Sequence, residues 1–239
     1  MKIIGHRGIP SRAPENTLEG FELALKLGVD GLELDVQLTK DGVPVVIHDE
    51  QVNRTSNSHG YVKDYTYQEL RLLDFGCSFS SEFKGLKIPA LEEVLLLLHD
   101  YDTYLNLELK SGIIRYEGIE EKVIELVEKY DYVEKTVISS FNHYSLLKCK
   151  EISSKIRTGT LYFAGLVEPW IYAKRIDSEF IHPYYYNINL DIVQGAHENG
   201  VGVFPFVVND VRLAKKFQEM NVDGIFTDNP VEIIEAIKV

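Results

Sequence analysis

Eight short apolar runs alternate with helical patterns from one end of this chain to the other, and that alternation leaves few folds open. The runs are Lys2–His6, Gly31–Asp35, Tyr104–Lys110, Thr136–Phe141, Arg157–Phe163, Tyr185–Leu190, Gly202–Val208 and Gly224–Thr227. Strand followed by helix, repeated, predicts a parallel α/β arrangement. Eight repeats in 239 residues fit a TIM-type (β/α)8 barrel, which typically takes about 250. The reading is one domain over residues 1–239. Between the runs, helices are expected at about Leu18–Leu27, Leu91–His99, Gly118–Tyr130, Tyr144–Ser153, Glu168–Ser178, Asp191–Asn199 and Val211–Met220. Asn16-Thr17-Leu18-Glu19 reads as an N-cap with a capping box, and Asn229-Pro230-Val231-Glu232 opens a last helix.

Two segments depart from the alternation. After Asp35, Thr39-Lys40-Asp41-Gly42 is a tight-turn signal with no room for a crossover helix. Val36–Thr39 and Val43–His48 therefore predict a β-hairpin whose return arm carries His48 to the barrel mouth. The stretch from about 50 to 88 is rich in Ser, Asn, Gly and Tyr and too long for an ordinary loop. It is expected to form a small cap over that mouth.

The apolar runs carry charge where strands rarely do. Residues i and i+2 of a strand share a face, so Glu33 pairs with Asp35 and Glu108 with Lys110. Buried charge needs a partner or a metal. Glu33, Asp35 and Glu108 offer three hard oxygen ligands, suited to Mg²⁺ or Ca²⁺; the alternative is an ionic network with Arg7 and Lys110. His6 ends the first run and His48 the hairpin. Two histidines converging on one mouth suit a general acid and a general base either side of a phosphorus. Arg7 can fork onto phosphate oxygens, and Lys110 adds a point charge. His59, His99, His143, His182 and His197 read as structural residues on helices or loops without partners. Tyr184-Tyr185-Tyr186 reads as packing.

Net charge of −12 argues against nucleic acid or an anionic membrane as partner. Cys77 and Cys149, the only cysteines, are far apart and lack metal-ligand spacing. Together with the absence of a signal-like apolar stretch, they predict a cytoplasmic protein. No feature marks a subunit interface, so the oligomeric state is not legible.

The ordered set His6-Arg7-Gly8, Pro14-Glu15-Asn16-Thr17, Glu33-x-Asp35, Thr39-x-Asp41-Gly42, His48-Asp49, Arg54-Thr55, Ile88-Pro89, Glu108-x-Lys110, Ser140-Phe141 and Asp223 to Pro230 resembles the glycerophosphodiester phosphodiesterases, over essentially the whole chain. The resemblance implies a TIM barrel with a small insertion and one divalent cation, Mg²⁺ or Ca²⁺, on Glu33, Asp35 and Glu108. It also implies acid–base catalysis by His6 and His48, with Arg7 and Lys110 on the phosphate. The implied reaction converts a small glycerophosphodiester to glycerol 3-phosphate and an alcohol. One position departs: where the family commonly has Trp-Thr-Val-Asn, this chain has Phe206-Val207-Val208-Asn209. Phe206 keeps an aromatic face for glycerol carbons and loses the indole N–H. Two rival functions are lysophospholipase D-type cleavage of a lipid phosphodiester and a non-catalytic phosphometabolite-binding barrel. The first needs an apolar entry ridge, and the polar cap offers little sign of one.

Overall fold

The computed structural model describes residues 1–237; the last two positions of the expected 1–239 domain lie outside the described residues. Eight parallel strands form a nearly closed barrel: β1 (Lys2–His6), β2 (Gly31–Leu38), β4 (Tyr104–Leu109), β5 (Thr136–Ser140), β6 (Arg157–Tyr162), β7 (Phe180–Pro183), β8 (Gly202–Val203) and β9 (Gly224–Thr227). Around the sheet the order is β8-β7-β6-β5-β4-β2-β1-β9, with β3 (Pro44–Val46) paired antiparallel to β2 as the arm of the hairpin. No ladder joins β8 to β9. The seam is bridged instead by backbone bonds from Asp223 to Val203, Phe226 to Pro205 and Val208 to Phe226.

Helices α1 (Leu18–Lys26), α3 (Leu91–Leu98), α4 (Ile119–Lys129), α5 (His143–Ile152), α6 (Pro169–Arg175), α7 (Leu190–Glu198), α8 (Val211–Glu219) and α9 (Pro230–Ile237) cover the outside. In α3 the buried positions are Leu91, Val94, Leu95 and Leu98, the spacing that lays one helical stripe on a sheet. All eight residues of β2 are buried, with apolar Leu32, Leu34 and Val36 facing the helices and polar Glu33, Asp35 and Gln37 between them. Inside the barrel Ile4, Phe204 and Phe226 pack together. The segment from 50 to 88 carries short helix α2 (Tyr67–Leu70). It packs a separate apolar cluster, Val52, Val62, Leu70, Phe75 and Ile88, onto hairpin residues Val45 and Ile47.

Several expectations are corrected. The seventh strand is Phe180–Pro183, not Tyr185–Leu190, where Tyr185–Asn187 forms a 3₁₀ turn. Aromatic and β-branched residues gave that stretch a strand-like look. Asn189, however, caps α7 by accepting from the Ile192 N–H, which commits the chain to a helix start. The eighth strand stops at Val203 rather than Val208; Pro205, just beyond, has no N–H to give a ladder. At the first helix Thr17 is the N-cap and accepts from Gly20, so the N3 position carries no acid and no capping box forms.

Candidate active site

The carboxyl ends of the strands meet in a cavity of about 240 Å³. The turn after β1 sets its first wall. Arg7 has φ 55° and Gly8 φ 90°, a left-handed pair that reverses the chain at once. Gly5 is required beneath it, because a Cβ there would lie 2.3 Å from the Gly8 carbonyl oxygen. The reversal aims the Arg7 backbone N–H at Glu33 Oε2, 2.9 Å away.

Glu33 and Asp35 on β2 and Glu108 on β4 come together as their spacing predicts. Each offers an oxygen within 4.8 Å of the others, and all three residues are buried. Lys110 Nζ lies 2.8 Å from Glu108 Oε1 and 3.7 Å from Asp35 Oδ1, and Arg7 Nε lies 3.3 Å from Asp35 Oδ2. With all three ionised, the carboxylates outnumber these two cations by one negative charge. Burial, followed by repulsion from Asp35 and Glu108, pushes the Glu33 carboxyl well above its ordinary range. Asp35 Oδ1 is buried without a hydrogen-bond donor. Hard oxygens, a surplus of negative charge and an orphaned acceptor are what a divalent cation site requires, and these residues can hold one. The expected network with Arg7 and Lys110 is present as well, so the two readings describe one cluster.

His6 and His48 both line this cavity. Each is held by a carboxylate. His6 Nδ1 is 2.7 Å from Asp228 Oδ1, and His48 Nδ1 is 2.7 Å from Asp49 Oδ1. Anchoring Nδ1 leaves Nε2 to face the cavity and selects the tautomer. Asp228 also accepts from Asn209 Nδ2 at 2.7 Å. Asp49 accepts from Arg54 Nε at 2.7 Å, and Arg54 passes on to Glu15 at 2.6 Å, which meets Arg7 at 3.0 Å. Gln37 fixes the end of the hairpin by donating to the carbonyls of Ile47, His48 and Asp49.

Asp228, Asp49, Asn209, Arg54, Glu15 and Gln37 were assigned no role from sequence. Glu15, Asp49, Arg54, Asn209 and Asp228 stand within the motifs quoted above, and that membership is their usable signal; Gln37 has only its place two residues after Asp35 on β2. Of the other histidines, His182 is on strand β7 inside the barrel, not on a helix or loop, and burial lowers it to about 3. His143 and His197 do have partners: Tyr172 Oη at 2.8 Å and the Leu161 carbonyl at 2.9 Å for the first, Asp223 at 2.8 Å for the second.

Opposite the charged wall the cavity is apolar, with Phe206, Phe141, Phe163, Leu161 and Phe226 lining it. Phe206 stands edge-on to Phe141 at 5.7 Å and to Phe163 at 5.5 Å. The cavity thus has one face for an anion and one for carbon.

Two expected results follow from these contacts. Asp228→Asn would place an amide against Nδ1 of His6 and favour the wrong tautomer, so kcat should fall about 10²-fold or more with KM little changed. Steady-state kinetics with wild-type kcat would refute this. For Asp49, burial acts upward, but hydrogen bonds from Arg54 and His48 outweigh it and hold the carboxyl down at about 2. A carboxyl depressed on folding adds stability that is present above its unfolded value, about 3.9, and is lost as pH falls toward the folded one. In urea titrations Asp49→Ala should therefore lose less stability than wild type between about pH 4 and pH 2; equal losses would refute it.

The sequence profile of the Glycerophosphoryl diester phosphodiesterase family matches residues 6–232. A glycerophosphodiester phosphodiesterase of Caldanaerobacter subterraneus subsp. tengcongensis is 47% identical over 236 residues, covering 99% of this chain and 97% of its own. One from Bacillus altitudinis is 43% identical, covering 99% of each. An Oleispira antarctica phosphodiesterase, solved in complex with the product sn-glycerol-3-phosphate, superposes with a TM-score of 0.92 at 31% identity, covering 100% of this chain and 97% of that one. Matched from end to end in sequence and in fold, this chain belongs to the glycerophosphoryl diester phosphodiesterase family.

Proposed function

We propose that this protein hydrolyses glycerophosphodiesters to glycerol 3-phosphate and an alcohol, using His6 and His48 as its proton-transfer pair. The observation that carries the reading is a pair of carboxylate-anchored histidines in the same cavity as a buried triad of carboxylates. Glu33, Asp35 and Glu108 would hold one divalent cation, Mg²⁺ or Ca²⁺. When bound, such an ion supplies charge compensation to the phosphoryl oxygens. Arg7 and Lys110 complete the anion-binding wall, and Phe206 packs against the glycerol carbons. One imidazole takes the proton of the glycerol 2-hydroxyl as its oxygen attacks phosphorus. The other protonates the departing alcohol, and water then opens the cyclic phosphate. A non-catalytic binding barrel would have no use for two oriented imidazoles.

No helix among the described residues is long and apolar enough to cross a membrane. Cys77, exposed, and Cys149, buried, are both unpaired. Free thiols support a reducing, cytoplasmic setting. Release of glycerol 3-phosphate from glycerophosphocholine, glycerophosphoethanolamine and glycerophosphoglycerol, with Mg²⁺ or Ca²⁺ added, tests the proposal. Release from none of them would end it.

A further inference from the structure

The floor of the cavity holds an unspent acceptor. Asn106 stands on β4 two residues before Glu108, so the two side chains share the inner face and Asn106 sits one layer deeper. The register agrees, pairing Asn106 with Glu33 and Glu108 with Asp35. Asn106 lines the cavity and is itself only 1% exposed. Its amide is anchored at one end: Nδ2 donates to Ser139 Oγ at 2.9 Å. Oδ1, at the other end, is buried with no donor. Ser139 is also buried and also lines the cavity. Having accepted from Asn106 on its oxygen, it keeps its own proton to give.

A buried carbonyl without a donor is costly, and native proteins leave few of them. The cations of the charged wall are engaged elsewhere. Arg7 Nη1 donates to Glu15 at 3.0 Å, and Lys110 Nζ to Glu108 at 2.8 Å. A substrate can supply what the protein does not. In glycerophosphocholine the phosphate and the choline carry no hydrogen-bond donor, so the two glycerol hydroxyls are the only ones. The 2-hydroxyl gives its proton to an imidazole. The 1-hydroxyl, one carbon further on, remains. A headgroup of any size must point to the open mouth, which sends the glycerol toward the floor, where Asn106 and Ser139 are.

We propose that Asn106 reads the terminal hydroxyl of the glycerol, with Oδ1 accepting its hydrogen bond while the Ser139 hydroxyl donates to its oxygen. The proposal rests on the placement of phosphate and glycerol given under Proposed function. An acceptor and a donor side by side match a hydroxyl and do not match a methyl group. Asn106 is thus a specificity residue: it selects glycerol among the 2-hydroxyalkyl groups that could perform the same attack on phosphorus.

The test compares choline release from glycerophosphocholine and from 2-hydroxypropyl phosphocholine. In the second compound a methyl replaces the terminal CH₂OH and the attacking 2-hydroxyl is kept. Wild type should show kcat/KM about 10- to 100-fold lower on the deoxy compound, because that compound leaves the amide oxygen unpaired. Asn106→Ala should lose a similar factor on glycerophosphocholine yet stay within about threefold of wild type on the deoxy compound, so that the preference disappears. Asn106→Leu, close in size and without an acceptor, repeats the comparison should the alanine variant fold poorly; there the preference should disappear or invert. Equal falls on both substrates would overturn the proposal and make the amide structural. Equal falls that added metal ion reverses would assign it to the cation instead. A wild type that cleaves both compounds alike would overturn it too. If wild type cleaves neither, the reading under Proposed function fails first and the assignment of Asn106 with it.

Discussion

His48→Ala and His6→Ala should each lower kcat by about 10²–10⁴-fold, the usual worth of a positioned general acid or base. Both lie at the cavity, and both are partly exposed at 16% for the His6 side chain and 32% for His48, so the fold should persist in each variant. The double variant should lose less than the product of the two single losses, because the residues serve one proton-transfer sequence. His59→Ala, in the cap, serves as the control. Steady-state kinetics on glycerophosphocholine decide the matter. A folded His48→Ala protein turning over at the wild-type rate would remove the hairpin from the mechanism.

Chelation should have a comparably large effect. With excess EDTA, activity should fall to background, and Mg²⁺ or Ca²⁺ should restore it. Glu108→Gln should weaken the metal dependence at its source, raising the ion concentration needed for half-maximal rate by about 10-fold or more. Elemental analysis gives a readout independent of turnover: about one equivalent of divalent ion on wild type and a clear loss on the variant. Full activity in EDTA with no metal bound would leave the carboxylate triad as an ionic network alone.

The parts of this molecule visible in its sequence are those set by local spacing. Glu33 with Asp35, and Glu108 with Lys110, announce a face because strand period puts i and i+2 together, and that face is where the structure has them. The Thr39 to Gly42 turn fixes the hairpin for the same reason. What escaped is long-range. Asp228 reaches His6 across 222 residues, and Arg54 joins Asp49 to Glu15 across 39. No periodicity encodes such partners. The seventh strand escaped for another reason: four residues, Phe180–Pro183, are too few to show a period, while the tyrosine run beside them imitates one.

The uneven lacing of the barrel has a mechanical consequence. Strands β2 and β4 share six consecutive register pairs, from Gly31 with Tyr104 to Val36 with Leu109, and between them they carry every carboxylate of the triad. On the far arc β7 and β8 share two pairs, with one isolated bridge beyond them between Tyr184 and Phe206, and β8 meets β9 through three backbone bonds outside any ladder. Amide hydrogens of Leu105 to Leu109 should exchange with deuterium at the rate of global opening, while those of Val203, Phe204, Phe206 and Val208 exchange through cheaper local openings. The charged wall thus stands on the more heavily laced arc, which fixes its three carboxylates relative to one another. Phe206 stands on the more sparsely laced arc, held to the β7 side by its own N–H to Pro183 and by the Tyr185 N–H to its carbonyl, so the apolar wall can shift with β7 and leave the carboxylates across the cavity where they are.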